Sequence, residues 1–520
     1  MLKSTKNLKL FILFISFIEG GAVMFTELIS AKLVAPYFGT SLYVWASVLG
    51  ITLGSLAIGY YSGGYFSNKV KSKLLLFWVM LIAGCFVSIM PFSGVWIMKQ
   101  TINMSIQTGV SISMLIFLFP PLVLFGMMSP IIINMLTEHV DDSGKTSGLV
   151  YSVSTVGGIL FTYLTGFYIL PHFGITTPSV ILGVFLFIIP FFVLIARNKF
   201  TAFAFLIVLF IPFSKLKSEK TDADGFRTLY ENEGIFGQVK VMDQNFATLT
   251  RGTKRGRGLM VNNTCQTILD LQYPEYSLWD YAFFFPNAAS IYPKGSDALI
   301  LGLGGGTLLK QYNRLGFNTD VVELDQRIKD VSIKYFNVDP NASIKIDDAR
   351  HALKTLDKKY DIITFDLFLS ETPPSHLLSI EAFKEVQAVL KPGGMLMINF
   401  FGFTSGDLGK ASRSVYKTLN ASGFKTKMCV TPSDEEMGRN LIFLASESDL
   451  DFTNTNYNSP FMQPITNLEE HFLDANKMDF SQDLILTDDK PILEHLYANA
   501  ALEWRKASNM AYAEKMIKNL

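Results

Sequence analysis

Cysteine is scarce in this chain. Three residues in 520, Cys85, Cys265 and Cys429, stand far apart with no C-x-x-C pair. That excludes a disulfide framework and a cysteine-built zinc site. Net charge is also lacking, since 45 basic residues against 45 acidic give +0. Nucleic-acid binders carry a basic excess, so nucleic acid is not expected as a partner. Charge is thinnest in residues 1–215, where apolar runs of spanning length follow one another, and this half raises the overall hydrophobic content to 49%. Residues 216–520 have ordinary globular composition and are long enough for one large domain and a small one.

Seven apolar segments fall at roughly 10–31, 42–64, 74–98, 110–136, 148–170, 176–196 and 200–214. The first is too long for a cleaved leader and lacks a small-residue cleavage site. The seventh is short for a span. Gly50-x-x-x-Gly54 and Gly59-x-x-x-Gly63 predict close helix packing. Glu27 and Lys32 lie in or near the first span, and an intramembrane acid is costly enough to suggest function. The alternative is an interhelical pair near the headgroups. With no second acid or histidine seen deep in another span, a proton-coupled transporter is poorly supported.

Lys3, Lys6 and Lys9 precede the first segment, Lys69, Lys71 and Lys73 follow the second, and Arg197 and Lys199 follow the sixth. All three sets fall on one side, which makes the N-terminus cytoplasmic. Seven crossings would then place the second half outside, whereas Lys215, Lys217 and Lys220 favour inside. The expectation is a multi-pass protein of the cell membrane with a cytoplasmic second half.

The most informative stretch is Asp297-Ala-Leu-Ile-Leu-Gly-Leu-Gly-Gly-Gly-Thr307, followed by Val321-Val-Glu-Leu-Asp325. Gly302, Gly304 and Gly306 allow a tight turn and close approach to a ligand. Glu323 follows about twenty residues on, where a carboxylate takes the hydroxyls of a ribose. A third predicted strand, Ser343–Ile346, runs into Asp347-Asp348-Ala349-Arg350, and a fourth, Tyr360–Phe365, ends in Asp366. Three successive strands thus end in carboxylates, and open parallel sheets bind ligands at that edge. Residues 216–225 read as a linker. Residues 226–285 show short alternating runs with a turn at Asn262-Asn263, as a small β-domain would. Residues 286–520 alternate strand and helix, with a turn at Lys391-Pro-Gly-Gly394 before the strand Met395–Asn399.

In order, Gln266, Leu299–Gly306, Val322–Asp325, Asp347–Arg350, Phe365-Asp366 and Leu390–Gly394 resemble spermidine synthase, the polyamine aminopropyltransferase family. With Glu27–Gly39 and Ser41–Trp45, the chain resembles the membrane-fused bacterial proteins of that kind. The resemblance implies a multi-pass helical domain, a small β-domain and an α/β Rossmann-like domain of methyltransferase type. It implies decarboxylated S-adenosylmethionine as co-substrate, no permanently bound cofactor or metal, and a small-molecule amine such as putrescine as acceptor. By the same likeness Gly302, Gly304 and Gly306 line the donor's methionine-derived end. Glu323, with Asp325 beside it, holds the ribose. Asp348 and Ala349 meet the adenine, Gln266 contacts substrate, and Asp366 deprotonates the attacking amine. The lipid bilayer and a second copy of the chain complete the expected partners. Two positions depart from the family pattern. Thr307 stands where an Asp usually follows the third glycine, and Leu369 stands where a second Asp follows the catalytic one. Glu371, or Asp488-Asp489 ahead of a C-terminal helix, could return an acid to the pocket. S-adenosylmethionine itself, and hence methyl transfer, stays open, as does a transporter whose soluble half senses a ligand.

Overall fold

The structure is a computed structural model. It describes residues 5–39, 41–70, 74–137, 139–206, 227–234, 236–248, 252–262, 264–367, 374–431, 438–453, 455, 457 and 468–504. The linker 216–225, Lys3, Lys71, Lys73, Lys215, Lys217, Lys220, Asn263, Leu369 and Glu371 lie outside the described residues. Two compact units emerge, Met1–Thr221 with Asn232–Gln238, and Asp222–Glu231 with Val239–Leu520.

The first unit is helical: α1 Thr5–Phe38, α2 Leu42–Lys69, α3 Leu75–Thr101, α4 Ile106–Phe117, α5 Phe119–Leu136, α6 Ser143–Leu164, α7 Leu170–Phe173 and α8 Thr176–Ile195. Among the described residues, six helical segments are long and apolar enough to cross a membrane. The seventh expected segment is not among them. Its described part, Phe200–Phe205, is a short 3₁₀ turn, and 207–214 lie outside the described residues. The fourth expected segment is broken at Leu118, where Pro120 and Pro121 enter the first turn of α5, the position where a missing N–H costs least.

Glycines set the closest helix approaches. A Cβ on Gly59 would lie 2.4 Å from the Val123 carbonyl oxygen, and one on Gly63 2.5 Å from that of Met127, so α2 sits directly on α5. Gly50 and Gly54 differ from expectation, since neither has a neighbour within 4 Å of such a Cβ. Spacing alone cannot tell which face of a helix meets a partner. A buried acid that the sequence reading passed over, Glu19, accepts hydrogen bonds from Ser154 Oγ at 2.9 Å and Ser129 Oγ at 3.4 Å. It thereby ties α1 to α6 and α5.

The second unit opens with an antiparallel sheet in the order β1-β2-β3-β4, made of Arg227–Gly234, Gly237–Thr248, Gly252–Val261 and Thr264–Asp270. After α9 (Tyr281–Ala289) come β5 Asp297–Leu301, α10 Thr307–Leu315, β6 Asn318–Glu323, α11 Gln326–Phe336, β7 Ser343–Ile346, α12 Ala349–Thr355, β8 Tyr360–Phe365, α13 Ile380–Val389, β9 Leu390–Gly402, α14 Lys410–Ala421, β10 Lys425–Val430 and β11 Arg439–Ser446. The seven-stranded sheet runs β10-β11-β9-β8-β5-β6-β7. β7, β6, β5, β8 and β9 are parallel, whereas β11 is antiparallel to both β9 and β10. This is the doubly wound, Rossmann-like order of methyltransferase type, with its switch point between β5 and β8.

Alternation along the central strands builds two cores. Leu299 and Leu301 enter one layer with Phe365, Leu396 and Ile398. Ala298 and Ile300 enter the other with Ile362, Met395 and Met397. Successive side chains of a strand point to opposite faces, and each large one buried stabilises by about 1.5–3 kcal/mol. The second layer also takes Val239, Val241, Leu259 and Leu269, so the small sheet shares the core of the large one.

Candidate active site

At the switch point the backbone turns twice within contact distance. Gly302 follows β5 with φ 93°, where a Cβ would lie 2.3 Å from the Asp366 carbonyl oxygen. No side chain fits there. Asp366 N–H in turn donates to the Leu301 carbonyl at 3.0 Å. The glycine turn and the end of β8 are therefore one piece. Gly304 (φ 52°) lies across from Thr267, and Gly306 (φ 70°) caps α10. Thr267 Oγ1 accepts the Gly305 N–H at 2.9 Å, pinning the turn to the small sheet.

Glu323 ends β6 and is 9% exposed. Its Oε2 accepts the Leu303 N–H and its Oε1 the Asp325 N–H, both at 2.9 Å. Burial pushes its pKa up, and the backbone N–H groups of Asp325, Leu303 and Leu324 oppose that push. A carboxylate offers about four acceptor sites, so one is left for a ligand hydroxyl. Asp325 is used differently. It caps α11 through the Arg327 N–H and forks onto the Arg327 guanidinium at 2.7 Å. Asp348 caps α12 through the N–H groups of Arg350 and His351. Ala349 is buried as the first residue of that helix. Asp347, held by Lys345 and His351, sits below the usual carboxylate range, and its N–H donates to the Glu323 carbonyl.

Asp366 is the chemically distinct group. Burial pushes its carboxyl up to about 6, against hydrogen bonds from Asn399 and Tyr281 that pull it down. Asn399 Nδ2 donates to Oδ1 at 2.8 Å, and the Tyr281 hydroxyl faces Oδ2 at 3.5 Å. The Tyr281 hydroxyl is itself pushed well above its ordinary value by burial and then by Asp366. Gln266 lies on β4 beside Thr267, and its Nε2 is buried without a hydrogen-bond partner among the described residues. An unpaired buried amide is costly and is satisfied by a ligand or water.

Asp488 lies apart from Asp366. It forks onto Arg350 at 2.6 Å and accepts from Ser379 Oγ, while Arg350 also holds Glu385. Tyr281, Thr267 and Asn399 were not picked out from sequence. Asn399 was findable by the rule that found Asp366, since it also stands where a parallel strand leaves the switch region.

The glycine turn, the Glu323 carboxylate and the buried acid Asp366 come together at the switch point of the methyltransferase-type fold. Residues 287–401 match the model of the spermine/spermidine synthase domain. A probable polyamine aminopropyl transferase of Bifidobacterium longum is 31% identical over 134 residues, which is 25% of this chain and 30% of that protein. An N-terminal histidine N-methyltransferase of Emericella nidulans is 27% identical over 195 residues, covering 34% of this chain and 35% of that protein. The chain thus spans about a third of the length of these two curated relatives. A solved structure, a probable spermidine synthase from Corynebacterium glutamicum, aligns with 43% of this chain and 81% of its own. Its sequence identity is 19% and the TM-score 0.36.

Proposed function

We propose that the second unit is an aminopropyltransferase working on a decarboxylated adenosyl-sulfonium donor and a small amine, and that the helical unit anchors it in the membrane. Asp366 carries this reading. It is a carboxyl poised near neutrality, fixed to the glycine turn and facing a tyrosine hydroxyl. The reaction needs little else. The amine must lose a proton before it attacks, and a carboxylate that titrates near the working pH can take it. The amine nitrogen then bonds to the donor carbon as that carbon's bond to sulfur breaks. The bonding pair passes to sulfur, and methylthioadenosine leaves as a neutral thioether. Holding nitrogen and carbon in line accounts for most of the rate. Glu323 would orient the donor through its ribose, and Gln266 Nε2 offers an unpaired donor to a substrate.

Thr307 favours one alternative. At the start of α10 it leaves that end without an acid, among N–H groups that suit a carboxylate. S-adenosylmethionine keeps its carboxylate, and the same fold would then transfer methyl. Incubating the full-length protein with each donor and a polyamine panel separates the two by mass spectrometry. Methylthioadenosine is expected, and adenosylhomocysteine alone would replace the first reading with the second.

For topology, the six candidate spans among the described residues are an even number, and Lys69, Arg197 and Lys199 favour one side. Both support a cytoplasmic second unit, where the donor is at hand.

A further inference from the structure

Three neighbouring strands contribute one residue each to a chain of polar groups that ends on Asp366. β11 supplies Asn440, β9 supplies Asn399, and Asp366 follows β8. Asn440 Nδ2 donates to Asn399 Oδ1 at 2.8 Å, and Asn399 Nδ2 donates to Asp366 Oδ1 at 2.8 Å. The last member dictates the direction. An ionised carboxylate only accepts, so Asn399 must present its NH₂ to Asp366 and its oxygen to the other side. Asn440 meets that oxygen with its own NH₂. This locks an amide that could otherwise turn over and set oxygen against oxygen. Asn399 is 8% exposed, so bulk water is poorly placed to replace either bond.

The two carboxylate oxygens of Asp366 become unlike. Oδ1 is tethered by a short bond. Among the described residues Oδ2 faces the Tyr281 hydroxyl at 3.5 Å, which is long for an O–H···O contact. Among the described residues, the titratable groups around Asp366 are phenols and a thiol: Tyr281 on α9, Tyr312 on α10, and Cys265 on β4 beside Tyr281. Both phenols are pushed upward and stay neutral near pH 7. No cation among these neighbours does the work of keeping Asp366 ionised, which leaves the amide donor as its main support.

We infer that Asn399 and Asn440 are positioning residues, a two-amide relay that holds Asp366 ionised and leaves its Oδ2 to receive the amine's proton. The role of Oδ2 rests on the aminopropyl-transfer reading above. The hold on the charge does not.

The test is an infrared difference titration of full-length protein in detergent, with ¹³C-labelled aspartate. The carboxyl signal missing from Asp366→Asn identifies Asp366. Asn399→Leu should raise its midpoint by about one pH unit, the ordinary effect of one lost donor. Asn440→Leu should raise it by less, and Asn440→Gln should return it toward the starting value. The acid limb of turnover should move by the same amounts. A midpoint unchanged in both leucine variants overturns the relay. Should Asn399→Leu fail to fold, Asn440→Leu decides on the same readout. A midpoint that moves while no donor and amine pair turns over upholds the relay and removes the proposed reaction.

Discussion

Replacing Asp366 with asparagine should make the protein more stable and less active at once. The ionised carboxyl is held against its environment. Burial sets its pKa at about 6, where an unburied aspartate stands at 3.8. Each tenfold step is worth about 1.4 kcal/mol, so keeping the group ionised at pH 7 costs the fold up to about 3 kcal/mol. The sign follows from the raised value. Below about pH 4 both folded and unfolded chains carry the proton and nothing is lost. Between about pH 4 and 6 the folded chain binds more protons than the unfolded one, and stability falls as pH rises. Asparagine has no such penalty. Its oxygen can accept from Asn399 and its NH₂ can face the Tyr281 oxygen, so the neighbouring bonds survive. We expect Asp366→Asn to unfold later than the parent at pH 7, by about 1–3 kcal/mol, with the difference vanishing by about pH 4. Turnover should fall by about 10²–10⁴. Thermal melts of the purified protein across that pH range, beside product assays, check both halves. A gain over the parent no larger at pH 7 than at pH 4 would show that the carboxyl is not strained, and the case for a base poised near neutrality would go with it.

Glu323→Ala should weaken donor binding at least about tenfold, since hydrogen bonds to a charged group contribute about 1.5–3 kcal/mol; unchanged affinity by calorimetry removes Glu323 from the site. Gly302→Ala should cost both donor binding and stability, because the new methyl meets the Asp366 carbonyl oxygen at 2.3 Å in a left-handed conformation. A melting point equal to the parent's would contradict that contact. A C-terminal reporter should be active on the cytoplasmic side, and activity confined to the outside would reverse the topology and point to an exported acceptor.

Much of the second unit could be read from the chain because its signals are local. The strands expected at 343–346 and 360–365 are β7 and β8, each an apolar run closed by a turn. The same logic brought Gly302, Glu323 and Asp366 to one edge of one sheet. What sequence could not supply were partners from distant strands. Tyr281 lies 85 positions before Asp366, and Asn440 lies 41 after Asn399. No local pattern announces either. The expected fourth segment hid two helices because hydropathy does not register the Pro120-Pro121 break. Gly50 and Gly59 carry the same spacing motif and differ only in which face meets α5.

The glycine turn is tied down by bonds internal to the chain, from the Leu303 N–H to Glu323 and from the Gly305 N–H to Thr267. A ligand docking there does not have to order the loop first, so little conformational entropy is spent on association. Its arrival rate should follow diffusion and viscosity more than any slow isomerisation of the protein. Thr267→Val, which removes the Gly305 tether while leaving every group that would touch a donor, would turn that simple encounter into a two-stage process with a rate that saturates at high donor concentration.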